Sequence, residues 1–153
     1  MHYDHPEIIE PALEVIKAND PDLYAAMQRS HWDVHVITDM DDDPMRLSTD
    51  GDNERDQLHA EPDDEALTSV VLPGKPTDVI LPAMKAHQDY YDAPFAHALA
   101  SNLVHEFQHH HGLGEVSAYS AAGKFAAKLG DKALTENSEL GLIYSAFGIS
   151  LKS

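Results

Sequence analysis

Between Asp39 and Glu65 the chain carries 12 acidic residues against only Arg46 and Arg55, a net −10. Runs such as Asp41-Asp42-Asp43 and Asp63-Asp64-Glu65 repel one another and leave few apolar side chains between them. Burying such a stretch would mean desolvating unpaired charges, so no core layer can be built from it. The core must come from the residues on either side, and 39–65 is expected as a solvated, mobile loop interrupting one domain that spans 1–153. Clustered carboxylates also suit calcium, but Asp50-Gly51-Asp52-Asn53 lacks the spacing and the closing Glu of an EF-hand loop.

The imbalance extends to the whole chain, with 27 acidic against 10 basic residues and a net charge of −17. A surface that negative repels phosphate backbones and anionic bilayers, which argues against nucleic-acid and membrane partners. It also admits one different role, an acidic decoy that mimics nucleic acid and occupies a basic partner. There is no Cys, so disulfides and thiolate metal sites are excluded. The 11 His residues keep imidazole ligation open. No apolar run approaches the ~20 residues of a membrane span. Met1 to Pro6 offers neither the basic nor the apolar part of a secretory signal. The expected location is the cytoplasm, or outside the cell by a route that needs no such signal.

The flanks supply the missing core, since 42% of the chain is hydrophobic. Pro6 to Ala18 reads as a helix with Ile8, Ile9, Leu13, Val15 and Ile16 along one stripe. Asn19-Asp20-Pro21 breaks it, and Pro21 opens a second short helix through Gln28. Trp32 to Thr38 alternates like a strand, Ser69–Leu72 and Asp78–Leu81 read as two more, and Pro82 ends the last. Phe95 to His111 is the clearest helix, with Ala96, Leu99, Ala100, Leu103 and Phe107 on one side and His105 and His109 roughly opposite. Gly112-Leu113-Gly114 stops it. Ala118–Leu129 and Leu140–Ile149 read as further helices, and the apolar positions of the last, like Trp32, read as core. The expected fold class is α+β: a small mixed sheet in the middle and a helical C-terminal third.

Chemistry concentrates in His105-Glu106-Phe107-Gln108-His109-His110-His111-Gly112-Leu113-Gly114-Glu115. Two histidines four apart lie about 40° apart around a helix and one turn along it, so both imidazoles reach one metal ion. Glu106 is rotated about 100° from His105, which lets it take a proton from a water at the metal without occupying a ligand place. A catalytic zinc takes three protein ligands and keeps one position open. Glu115 is the third candidate, because glycines at 112 and 114 tolerate positive φ and let the chain fold a carboxylate back. His110 and His111 fall off the ligand face.

This segment resembles the zincin metallopeptidases over about Phe95 to Leu129, with His105, Glu106 and His109 matching the motif H-E-x-x-H. The run to Glu115 fits the longer metzincin spacing with Glu in the third ligand place. The last methionine, Met84, precedes the motif, whereas a metzincin carries a Met-turn after it. Glu115-Val116-Ser117-Ala118-Tyr119 is similar to gluzincins, which take their third ligand from a Glu on the following helix. The resemblance implies a zincin-like fold and a zinc metallopeptidase. Such an enzyme hydrolyses a peptide bond of a protein or peptide substrate through a zinc-bound water, with Glu106 as general base. It further suggests Tyr119 as an oxyanion donor, a part that Tyr90, Tyr91 or Tyr144 could also fill, and Asp78–Leu81 as an edge strand that binds extended substrate. The same residues would equally serve a zinc-stabilised binding module with no turnover.

Overall fold

The structure, a computed structural model, describes residues 1–38, 66–67, 76–86 and 94–147. The acidic stretch 39–65 and the expected strand Ser69–Leu72 lie outside these residues. Four strands form one sheet: β1 (His2–Tyr3), β2 (Asp33–Ile37), β3 (Ala66–Leu67) and β4 (Thr77–Ile80). Six helices accompany them among the described residues: α1 (Pro6–Asn19), α2 (Pro21–Arg29), α3 (Leu81–Ala86), α4 (Phe95–His110), α5 (Glu115–Leu129) and α6 (Lys132–Ala146). The sheet order is β1-β2-β4-β3, with β1, β2 and β4 parallel and β3 antiparallel to β4. This is a helix-rich member of the expected α+β class with a small mixed sheet. Among the described residues no helix is long and apolar enough to cross a membrane.

Local chemistry explains the element boundaries. Helix α1 starts on Pro6, which needs no N–H in the first turn, and buries Ile9, Ala12, Leu13 and Ile16 at i, i+3, i+4 and i+7. Asp20 ends it and caps the next helix, its carboxylate accepting from the Leu23 N–H at 3.1 Å. The same carboxylate pairs with Lys128 at 2.9 Å, tying the α1–α2 corner to α5. In the sheet, Val34 and Val36 of β2 and Val79 of β4 turn one face toward the helices. Leu99, Leu103 and Phe107 of α4 meet that face and α1 in a single hydrophobic core.

Trp32, 1% exposed, joins the two layers. Its ring lies 5.1 Å from that of Phe107, and its indole N–H donates to the Thr77 hydroxyl at 2.7 Å. Helices α5 and α6 form an antiparallel hairpin around Gly130, which takes the left-handed conformation at φ 71°. Small residues let them approach closely. A Cβ on Gly141 would stand 2.4 Å from the Tyr119 ring, and one on Gly123 would stand 3.3 Å from Ser138.

The structure corrects several expectations. Strand β4 is not an edge: β3 covers it on the side away from β2, pairing Ala66 with Val79 and Leu67 with Asp78. Asp78–Leu81 therefore cannot take on an extended substrate by β-addition as proposed from the resemblance. Leu81 and Pro82 open α3 instead of closing the strand, with Pro82 again in a first turn where its missing N–H costs nothing. Helix α6 begins at Lys132, capped by Asp131, and its buried face is Leu134, Ser138 and Gly141. Leu140 and Ile143, expected in the core, are 48% and 51% exposed because the close approach to α5 selects small residues for the inner face.

The Trp32–Thr77 hydrogen bond gives the fold a direct test. Thr77→Val keeps the side-chain shape but removes the acceptor, leaving a buried indole N–H unsatisfied. The expected loss is about 1–3 kcal/mol, read as a lower urea midpoint at unchanged slope. An unaltered midpoint would show that the bond does not anchor Trp32 to β4.

Candidate metal centre

Helix α4 is buried around most of its circumference, through Ala98, Leu99, Ala100, Leu103, Val104 and Phe107. It is held between α1 and the sheet on one side and α5 on the other. His105 and His109, one turn apart, face the start of α5, where their side chains keep only 13% and 12% exposure. The side of α4 opposite its apolar stripe is thus covered as well.

The reversal after α4 is a Schellman motif. Gly112 stands at φ 80°, its N–H donates to the His109 carbonyl at 2.9 Å, and the Leu113 N–H donates to the Gln108 carbonyl at 3.1 Å. Only glycine takes that φ without strain. Gly114, free to do the same, is instead extended at φ −83° and serves as the N-cap of α5. Glu115 is then the first residue of α5, with its carboxylate turned back onto α4.

Three donor atoms converge there. Glu115 Oε1 lies 3.2 Å from His105 Nε2, which lies 3.2 Å from His109 Nε2. The third side is the contact of His109 Nε2 with Glu115 Oε1. A tetrahedral ion with bonds of about 2.0–2.1 Å sets its ligand atoms roughly 3.3–3.4 Å apart, so the two sides at His105 already match that spacing. Glu115 would have to draw back from His109 to admit an ion. Among the described residues this is the one cluster of its kind, all ligand atoms lying within 4.8 Å of one another. His109 is further oriented from behind, since its Nδ1–H donates to the Leu113 carbonyl at 2.8 Å. A metal-binding imidazole needs this kind of support, which puts the proton on one nitrogen and frees the other.

Glu106 completes the group. It is 6% exposed, and its Oε2 has no hydrogen-bond partner among the described residues. A buried carboxylate oxygen without a donor is costly and uncommon, and it is intelligible where a water or substrate proton is to be received. Its charge acts on His109, together with that of Glu115. Burial works against a charge on His109, but the hydrogen bond to Glu115 and these two carboxylates outweigh it and push the imidazole pKa up to about 9. Burial would likewise raise the Glu115 carboxyl, yet the hydrogen bonds from His105 and His109 hold it well below the usual range. Without a metal, Glu115 thus takes the place of an anion shared between two imidazoles.

The remaining sequence candidates fall beside this group. The Tyr119 ring packs edge-on against His105 at 4.5 Å and meets Gly141 on α6. His110 stacks on Phe107 at 6.2 Å and lies 5.9 Å from Trp32, while exposed His111 meets Phe107 edge-on at 4.5 Å. Neither joins the donor cluster. Tyr144 is half-buried on α6, and Tyr90 and Tyr91 lie outside the described residues. Sequence reasoning missed the Leu113 carbonyl, which is a backbone group, and Gly141, whose only signal is a glycine inside a helical pattern. Comparison with family models, curated proteins and solved structures finds no match to this chain.

This protonation state would make the binding of a metal here pH-dependent. Below about 9 His109 carries a proton that a metal must displace, so affinity rises with pH up to that value. Titration calorimetry at pH 7 in buffers of different ionisation enthalpy should read about one proton released per zinc bound. Binding with no proton release would contradict the His109–Glu115 pairing.

Proposed function

We propose that this chain is a zinc-dependent peptidase of compact zincin type, in which His105, His109 and Glu115 hold the metal. The observation that carries the reading is the convergence of these three donors beside a buried, unpartnered Glu106 carboxylate oxygen. Two imidazoles and one carboxylate form a donor set suited to catalytic zinc, which keeps a fourth position open. The position of α4, between a small mixed sheet and a helical C-terminal part, supports a zincin-like arrangement.

When bound, zinc supplies Lewis acidity toward the scissile carbonyl and lowers the pKa of water toward neutrality. The protein's own groups do the rest. Glu106 accepts a proton from the attacking water as its oxygen adds to the peptide carbonyl carbon. It then delivers that proton to the amide nitrogen as the C–N bond breaks, so the products are a carboxylate and an amine. Its burial favours this exchange, because few competing waters reach Oε2. Leu113 holds His109 in register. Tyr119, packed against His105, is the proposed donor to the developing oxyanion.

The test is Glu106→Gln, read against a proteome-derived peptide mixture by mass spectrometry. The wild type should produce new peptide termini in a zinc-dependent manner. The variant should retain its zinc while losing cleavage by about a hundredfold or more, the scale of a lost general base. Equal cleavage by both proteins would rule out Glu106 as the base. Zinc bound with no cleavage by either would point to the zinc-stabilised binding module instead.

A further inference from the structure

His105 differs from His109 in one respect. His109 has a carbonyl behind its Nδ1, whereas the Nδ1 of His105 meets no hydrogen-bond partner among the described residues. An imidazole that offers Nε2 to a metal must carry its proton on Nδ1 or be charged, so this N–H needs an acceptor. His105 also lines a cavity of about 30 Å³ between α4, α5 and α6. Its polar wall is Ser101, Asn102, Tyr119, Asn137 and Ser138. Ser101 and Ser138 are buried, at 7% and 4% exposure. Neither serine hydroxyl has a hydrogen-bond partner among the described residues. A water needs about 10–15 Å³ and two to four polar partners, and an apolar cavity of this size would stay dry. This cavity meets both conditions.

We propose that the cavity holds one structural water that hydrogen-bonds the Nδ1 of His105 and the hydroxyls of Ser101 and Ser138. Helix α6, which supplies no metal ligand, then acts on the metal centre as a positioning element through Ser138. Gly141 and Tyr119 keep α6 close enough for this: the glycine leaves room for the tyrosine ring, and that ring rests on His105. Ser101 and Ser138 are positioning residues, since they touch a ligand only through the water. The effect on metal affinity rests on the zinc reading given above, but the water itself does not.

Two measurements separate these claims. A high-resolution crystal structure of the metal-free wild type should hold one ordered water within hydrogen-bond distance of His105 Nδ1 and both hydroxyls. An empty cavity would overturn the proposal whatever the metal does. The double variant Ser101→Ala/Ser138→Ala should bind zinc about tenfold more weakly in competition with a chromophoric chelator, the usual scale for a lost supporting hydrogen bond. In the metal-free form its ¹⁵N spectrum should show a shifted His105 Nδ1 resonance beside an unshifted His109 Nδ1, a change that looser packing alone would not give. Unchanged zinc affinity with an unchanged His105 Nδ1 resonance would overturn the role of α6. A wild type that holds the water but binds no zinc would sink the peptidase reading and leave the water in place.

Discussion

The carboxylate of Glu115 meets two imidazoles because the chain reverses in the four-residue interval 111–114, between the end of α4 and the start of α5. That reversal depends on one left-handed residue, Gly112, and on two backbone hydrogen bonds that close the last turn of α4. A side chain at 112 would put about 1–2 kcal/mol of strain into the turn. It would also disturb the Leu113 carbonyl that orients His109. One turn thus sets the place of the Glu115 carboxylate, the orientation of His109, and the packing of α5 along α4. The hydrophobic core serves the same end, since Leu99, Leu103 and Phe107 lock α4 in rotation and so fix where His105 and His109 project.

Stability and function pull in different directions at this helix. A buried Glu106 with an unpartnered oxygen destabilises the folded chain, because its desolvation is not fully returned by hydrogen bonds. The imidazole–carboxylate contacts act the other way. They draw a proton onto His109 and hold Glu115 ionised, so in the absence of a metal the site is neutralised by its own members. On the proposed reading, a metal would replace that proton with a larger positive charge at the same place. The three side chains already converge without an ion, so little conformational entropy would be lost on binding one.

Much of this was legible in the sequence, for identifiable reasons. The 3.6-residue period of Phe95–His111, the stop at Gly112 and the spacing of His105, His109 and Glu115 are local properties, and they located α4 and the three side chains that meet at its end. Pro6, Asp20 and Pro21 marked the first two helices by the same local logic. What was not legible depends on distant partners. Strand β3 is only Ala66–Leu67 and carries no alternation, so nothing announced that it would cover β4. The inner face of α6 was misassigned because Gly141 and Ser138 face inward, and that choice follows from the closeness of α5 and the bulk of Tyr119. The burial of Glu106 was equally hidden, since a charged residue reads as exposed until the elements packed around its helix are placed.

The claim on which the account stands is that His105, His109 and Glu115 form one zinc site, and metal content is its most direct measure. Mass spectrometry of protein purified without an affinity tag or chelator should find about one zinc per chain in the wild type. It should find clearly less in Glu115→Ala, since two imidazoles alone do not complete the three-ligand set of a catalytic site. A wild type that takes up no zinc even after incubation with the metal would contradict the account, as would a Glu115→Ala variant that retains the full complement.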